Sequence, residues 1–237
     1  PPPSTNAQAQ PAANDYLNDL RVAEFAYLSD TLPSGFDQRL RSFAVAELHL
    51  PNNASYHRYA DLQRRAVVWN VVAAPSYSFA PKTWCFPVAG CVSYRGYFDQ
   101  TQAEAEAATL RSQGWETQVY GVPAYSTLGW SNWVGGDPLL NTFIHYPEGE
   151  LARLIFHELA HQVIYVQDDT AFNESFATAV ERLGTQRWLQ AHAPDSARAE
   201  YAQLDQRKRQ FAALTRATRV QLTQLYAEYP QGQGPAP

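Results

Sequence analysis

Methionine is absent from the chain, and no run of apolar residues is long enough to span a bilayer. A complete translation product begins with methionine, so we expect the chain to be a processed or trimmed form. A transmembrane helix needs roughly 20 consecutive apolar residues, which excludes a transmembrane segment within this sequence. Any membrane anchor is therefore expected on an N-terminal part that is missing from the chain.

Basic residues are too few and too scattered for a nucleic-acid-binding surface. The chain has 18 Lys and Arg against 23 Asp and Glu, a net charge of -5, and its densest basic run is Arg207-Lys208-Arg209. Proteins that bind nucleic acids present clustered positive charge, so nucleic acid is excluded as a partner. The 237 residues, 45% of them hydrophobic, suffice for one substantial core.

Cysteine is nearly absent as well, with Cys85 and Cys91 as the two examples. An even count at close range favours one small disulfide, and two free thiols in a cytosolic enzyme are the alternative. The chain opens with a segment rich in Pro, Ala and Gln, of the kind that tethers a domain. We therefore expect an exported protein, either periplasmic or lipid-anchored at the cell envelope of a bacterium.

The pattern of apolar residues predicts a helix-rich α+β fold with a small mixed sheet. Residues 1–14 are expected to be a disordered linker or trimmed N-terminus, 15–229 a single domain, and 230–237 a disordered tail. Helical periodicity predicts helices at 15–29, 36–50 and 100–112, and one long helix or two shorter ones at 196–228. Short β-branched or alternating runs predict strands at 66–73, 94–98 and 115–122. The succession of 66–73, the 100–112 helix and 115–122 favours a βαβ-like unit.

The most informative stretch is His157-Glu158-Leu159-Ala160-His161. Two imidazoles four residues apart lie on the same face of a helix and can bind one metal ion. The carboxylate between them is suited to act as the base for a metal-bound water. Residues 162–166 are predicted to continue this helix before residues 167–170 break it.

A third ligand is available in the next predicted helix, where Glu174 follows His161 after a separation of 12 residues. That interval is enough chain to reverse direction and place two helices side by side. Three protein ligands with an open position are typical of catalytic zinc. Asp168 and Asp169, in the turn between the helices, are the alternative third ligands, although turn formation and helix capping also explain them.

The pentad followed by Asn173-Glu174-Ser175-Phe176-Ala177 resembles the gluzincins, whose third zinc ligand is a Glu in an Asn-Glu-x-x-Ala segment. More closely, the chain is similar to the bacterial family labelled putative (predicted) aminopeptidase. The resemblance is densest in residues 84–99, 121–130 and 151–182. It implies a zincin-like single domain with an active-site helix pair and one Zn²⁺ per chain. His157, His161 and Glu174 would bind the zinc, with Glu158 as general base.

The resemblance implies zinc-dependent hydrolysis of peptide bonds, with aminopeptidase as the favoured activity and a peptide as the substrate. A zinc endopeptidase and a zinc-binding peptide-recognition module without turnover are the alternatives. Two positions depart from better-known zinc peptidases. Thr178 stands one turn beyond Glu174, where thermolysin-like enzymes carry an acid, and without Met the chain lacks the Gly-x-Met-x-Asn segment that holds a substrate amine.

Several further residues are candidates for contacts with a substrate. Segment 124–128, ahead of the pentad, is expected to be an extended edge that pairs with a peptide main chain, or else an aromatic-rich covering loop. The candidate donors for a developing oxyanion are Tyr125, Tyr146, Tyr94 and Tyr165. The candidate carboxylates for a substrate ammonium group are Asp99, Glu148 and Glu150.

Overall fold

The computed structural model describes residues 35–86, 90–124, 136–167 and 169–229. Its helices are α1 (Phe36–Leu48), α2 (Gln100–Ser112), α3 (Glu148–Ala160), α4 (Thr170–His192) and α5 (Asp195–Ala227). Its strands are β1 (Tyr59–Ala60), β2 (Val68–Pro75), β3 (Trp84–Phe86), β4 (Gly90–Val92), β5 (Arg95–Tyr97), β6 (Trp115–Val122) and β7 (Leu139–Leu140). The fold class is a helix-rich α+β, as the sequence predicts. The helix predicted at 15–29 lies outside the described residues.

The described residues cluster into two compact units, of which the first contains Val68–Val122 and the chain from Ala202 onward. Its sheet has the order β5-β2-β6, and both pairings are antiparallel. Helix α2 packs on this sheet through residues spaced four and three apart, which is the spacing of one helical face. The buried residues of this core are Val71, Ala73, Ala103, Ala107 and Leu110.

The sheet differs from the predicted βαβ-like unit and from the predicted mixed sheet. Strands β2 and β6 are antiparallel neighbours, so the helix between them does not connect a parallel pair. Helix α2 instead connects β5 to β6, which run parallel to each other on either side of β2. The prediction was wrong because alternating apolar residues identify a strand without indicating its direction.

Strands β3 and β4 form a hairpin that the predicted disulfide closes. Cys85 and Cys91 are directly opposite partners in the antiparallel register, and their sulfur atoms are bonded. The prediction of a disulfide within this segment is therefore confirmed. Trp84, in the same hairpin, packs against the α2 core.

The second unit contains the described residues up to Val67 and from Pro123 to Tyr201. Helices α1, α3 and α4 pack together around aromatic side chains, with Phe43 5.5 Å from Trp188 and 6.0 Å from Phe156 between ring centroids. The short strands β1 and β7 pair in parallel, with Tyr59 opposite Leu139. The buried face of α3 therefore fixes the helix that carries the HExxH pentad.

Helix α5 is 33 residues long and contains no buried residue. Its sequence is polar on most of its surface, in agreement with that exposure. Across the described parts of the chain, no helix is both long enough and apolar enough to cross a membrane. The predicted linker at 1–14 and the predicted tail at 230–237 lie outside the described residues.

Candidate metal centre

Helix α3 carries the first two predicted metal ligands at its C-terminal end. His157 and Glu158 lie in the last turn, and the helix ends at Ala160, so that His161 is the capping residue. His161 keeps a right-handed helical conformation, and its backbone N–H donates to the carbonyl of His157. The two imidazoles therefore remain one turn apart on one face, although the predicted continuation of the helix through 162–166 was wrong.

The connection between α3 and α4 is fixed by the side-chain amide of Asn173. The backbone N–H of Val166 donates to Asn173 Oδ1 at 2.8 Å, and Asn173 Nδ2 donates to the carbonyl of Val166 at 2.8 Å. Asn173 is 3% exposed, so these bonds satisfy a buried amide. The chain is thereby turned back over the end of α3, and Glu174 follows next to the two imidazoles.

His157, His161 and Glu174 converge, with one ligand atom of each within 4.8 Å of the others. The Nε2 atoms of the two histidines are 3.1 Å apart. The carboxylate of Glu174 faces both rings, with Oε2 3.4 Å from Nε2 of His157 and Oε1 3.6 Å from Nε2 of His161. The structure thus brings together the three residues named from the sequence.

The separations between these atoms fit a tetrahedral zinc ion. Ligand bonds of about 2.0–2.1 Å at tetrahedral angles place neighbouring ligand atoms about 3.3 Å apart. The two imidazole nitrogens are 3.1 Å apart, and each lies 3.4 or 3.6 Å from a different oxygen of the Glu174 carboxylate. Two imidazole nitrogens and a carboxylate are also a donor set that binds catalytic zinc. These residues can therefore hold zinc with small movements of their side chains.

Glu181, which sequence reasoning did not identify, supports this cluster from α4. Its Oε2 atom is 2.9 Å from Nδ1 of His157, on the ring edge opposite to Nε2. Arg153 donates to both carboxylate oxygens of Glu181, at 3.0 and 3.1 Å. The available signal was spacing: Glu181 follows Glu174 by seven residues, which is about two helical turns and so the same face.

Burial and hydrogen bonds within the cluster shift the pKa values of its residues. Burial lowers the pKa of His157, but hydrogen bonds with Glu174 and Glu181 outweigh burial and raise that pKa to about 9. Burial and the neighbouring charge of His157 lower the pKa of His161. The hydrogen bond from His157 holds the pKa of Glu174 below its usual range. Without a metal, the pair of adjacent imidazoles therefore carries one positive charge near neutral pH, and that charge is on His157.

Glu158, between the two histidines of the pentad, is partly buried. Burial raises the pKa of its carboxyl to about 7, and the charges of Asp137 and Glu174 add to the increase. A base is most effective when its pKa lies near the working pH. Asp137, which is 2% exposed, is thus a further carboxylate that influences this site and that the sequence did not reveal.

Of the two alternative third ligands, the structure describes Asp169, which has a different role. Asp169 caps α4, because its Oδ1 accepts a hydrogen bond from the backbone N–H of Phe172 at 2.9 Å. Asp168 lies outside the described residues. Helix α4 begins at Thr170, so Glu174 lies just past the first turn rather than within it.

The predicted oxyanion donors lie in different environments. Tyr165 is in the connection after α3 and is 49% exposed. Tyr146 precedes α3, and burial raises the pKa of its phenol. Tyr94 precedes β5 in the other compact unit, whereas Tyr125 and most of the predicted edge segment lie outside the described residues.

The three carboxylates predicted to bind a substrate ammonium group lie away from the pentad in sequence or bind other residues. Asp99 caps α2 in the other compact unit and accepts from the backbone N–H of Gln102. Glu148 and Glu150 lie in the first turn of α3, at the opposite end of the helix from the pentad. Glu150 is bonded to Arg153 at 3.3 Å.

Comparison with known proteins identifies the family of the chain. The model of the family described as "Putative aminopeptidase" matches residues 15–234, which is nearly the whole sequence. The comparison with curated proteins found no match, and neither did the comparison with solved structures. A match over this length includes both helices of the metal cluster. The chain therefore belongs to the "Putative aminopeptidase" family.

Proposed function

We propose that the chain is a zinc-dependent peptidase, with release of N-terminal residues as its favoured activity. The observation that carries this proposal is the convergence of His157, His161 and Glu174 at separations of 3.1–3.6 Å. The family description supports peptidase chemistry. The donor set of two histidines and one glutamate supports zinc rather than magnesium or calcium, which prefer oxygen ligands.

His157 and His161 would bind the ion through Nε2, and Glu174 through its carboxylate. When bound, zinc supplies a Lewis acid that polarises a peptide carbonyl and acidifies a water molecule. Glu158 then serves as general base and general acid: it accepts the proton of the attacking water and delivers it to the departing amine. Its pKa of about 7 suits both halves of that transfer near neutral pH.

The disulfide supports the proposal that this peptidase acts outside the reducing cytosol. The Cys85–Cys91 bond closes the β3–β4 hairpin, and such bonds persist in oxidising compartments. Periplasmic and envelope-anchored locations both satisfy this condition. Labelling of free thiols in the protein isolated from its native cell tests it, because fully labelled cysteines would exclude an oxidising location.

The test of function compares the wild type with Glu158→Gln. We expect about one equivalent of zinc in both proteins by elemental analysis, since Glu158 is not a ligand. We expect the variant to hydrolyse amino-acid anilides about 10²–10⁴-fold more slowly, the range for loss of a general acid–base group. Glu200→Gln is the matched control, because Glu200 is an exposed glutamate on α5.

The outcomes separate the candidate activities. Preference for substrates with a free amine over N-blocked peptides identifies an aminopeptidase, and the reverse preference identifies an endopeptidase. If the protein binds zinc but hydrolyses neither substrates with a free amine nor N-blocked peptides, the alternative function of a peptide-recognition module is supported. A wild-type protein that binds no zinc, or a Glu158→Gln variant with full activity, would refute the proposed mechanism.

A further inference from the structure

We propose that Glu181, held by Arg153, is the positioning residue that orients His157 for metal binding and sets the affinity of the site. This inference rests on the proposed zinc function, because it assumes that His157 is a ligand. It goes beyond that function by assigning a role to two residues that touch neither the ion nor the substrate.

The first argument is the direction of the hydrogen bond at His157. A carboxylate can only accept, so Nδ1 of His157 donates its proton to Oε2 of Glu181 over 2.9 Å. When Nδ1 carries the proton, the lone pair of a neutral imidazole is on Nε2. That is the nitrogen that faces His161 and Glu174. Glu181 thus selects the tautomer that the metal site needs.

The second argument is that Glu181 is itself held in place. Arg153 donates from one guanidinium nitrogen to both of its oxygens, and from Nε to Glu150 at 3.3 Å. The exposed fractions of the three side chains are 8% for Glu181, 26% for Arg153 and 11% for Glu150. A buried carboxylate bonded in this way has little freedom to rotate, so it also fixes the plane of the imidazole ring.

The third argument is the asymmetry between the two histidines. Nδ1 of His161 is buried and has no hydrogen-bond partner in the described structure. Its ring is oriented by packing, including an edge contact with the ring of His157 at a centroid distance of 4.8 Å. Of the two histidines, His157 is therefore the one whose ring a carboxylate orients. Loss of Glu181 would loosen His157 directly and His161 through that contact.

The fourth argument is that the ion pair between Arg153 and Glu181 would contribute little to the stability of the fold by itself. Burying charged groups removes them from water, and buried ion pairs contribute little net stability compared with apolar side chains of similar size. Arg153 and Glu181 join α3 to α4, yet the same helices already pack through an apolar core that includes Phe156 and Ala177. A role at the metal site accounts for the position of these charges.

The experiment measures zinc dissociation constants of the full chain by competition with a chromophoric chelator. Glu181→Ala is expected to weaken zinc binding 10–100-fold, the range for loss of a residue that supports a ligand, or about 1.4–2.7 kcal/mol. Glu181→Gln, which keeps the shape but not the charge, should weaken it about tenfold. Arg153→Gln leaves the carboxylate on His157 and should have the smallest effect of the three. Glu200→Gln should bind zinc like the wild type.

Two further readouts separate positioning from folding. Far-UV circular dichroism and urea unfolding of the metal-free variants report whether the fold is intact, and kcat and KM at saturating zinc report the assembled site. We expect a lower kcat with little change in KM, because Glu181 does not contact the substrate. Partial recovery of zinc affinity in Glu181→Gln relative to Glu181→Ala would support orientation by a hydrogen bond.

The outcomes are distinct from those of the proposed function. A wild-type chain without zinc refutes the metal centre itself. Zinc binding by the wild type together with wild-type zinc affinity in both Glu181 variants overturns the positioning role alone. Failure of metal-free Glu181→Gln to fold also overturns it, since Glu181 would then hold the two helices together rather than orient a ligand.

Discussion

The charge on His157 makes a prediction about the metal-free protein: its stability should fall as the pH rises from 7 to 9. Burial opposes the charged imidazole, but the hydrogen bonds to Glu174 and Glu181 raise the pKa of His157 to about 9 in the folded chain. In the unfolded chain the pKa returns to about 6.5. The folded state therefore holds a proton that the unfolded state has lost over this pH range.

The sign follows from the linkage between proton binding and folding. A pKa that is raised in the folded state contributes stability that is fully present below the unfolded pKa, and that is lost as the pH rises through the folded pKa. With pKa values of about 9 and 6.5, the loss between pH 7 and pH 9 is about 2 kcal/mol. Glu158, whose pKa burial raises to about 7, adds a few tenths in the same direction.

Urea unfolding in the presence of a chelator at pH 7, 8 and 9 measures this loss. In thermal unfolding, the same change corresponds to roughly 4–8 °C for a chain of this size. The control is His157→Gln, which lacks the titrating imidazole and should lose only the small part due to Glu158. A metal-free wild type that is equally or more stable at pH 9 than at pH 7 would refute the assigned charge state.

Three further substitutions test the surroundings of the site. Asn173→Ala removes both hydrogen bonds to Val166, so it should lower the free energy of unfolding in urea by about 1–3 kcal/mol and weaken zinc binding. Unchanged zinc affinity would show that these two hydrogen bonds do not position Glu174. Gly136→Ala should cost about 3 kcal/mol, because φ is 74° and the new Cβ would clash with the backbone nitrogen of Ser55; wild-type stability would contradict that close contact. Phe156→Ala should cost about 3–5 kcal/mol by loss of a fully buried ring, with zinc still bound by the folded fraction.

The positions of the metal ligands were predictable because they depend on local geometry. The four-residue interval between His157 and His161 puts both rings on one face whatever surrounds the helix. The interval to Glu174 indicated a chain reversal, and the structure contains one. Apolar spacing likewise predicted α1, α2 and α5 to within one or two residues at most of their ends.

The end of α3 was not predictable, because a distant residue determines it. Residues 163–166 are apolar and read as a continuation of the helix, yet they are exposed and non-helical beyond the turn at 161–163. The Asn173 side chain forms hydrogen bonds with the backbone N–H and carbonyl of Val166, which would otherwise be paired within a longer helix. A periodicity argument cannot detect this exchange, since it considers one helix at a time.

Glu181 was missed for a related reason. Sequence patterns for zinc sites describe the ligands, and here the position one turn beyond Glu174 holds Thr178 instead of an acid. The carboxylate that contacts His157 comes from the following turn, and its partner Arg153 is on another helix. Such contacts depend on how α3 and α4 pack, which side-chain types alone do not specify. The direction of the strands in the β5-β2-β6 sheet could not be predicted for the same reason, since it too depends on contacts between distant elements.

Helix α4 carries both the proposed ligand Glu174 and the supporting Glu181 on one rigid cylinder. Because each residue advances the helix by about 100°, deleting a single residue between them would swing one carboxylate about a quarter-turn from the other. Evolution can therefore exchange the six intervening side chains more easily than it can change their number. In related chains, the length of this interval should be a stricter signature of the metal site than the identity of any residue within it.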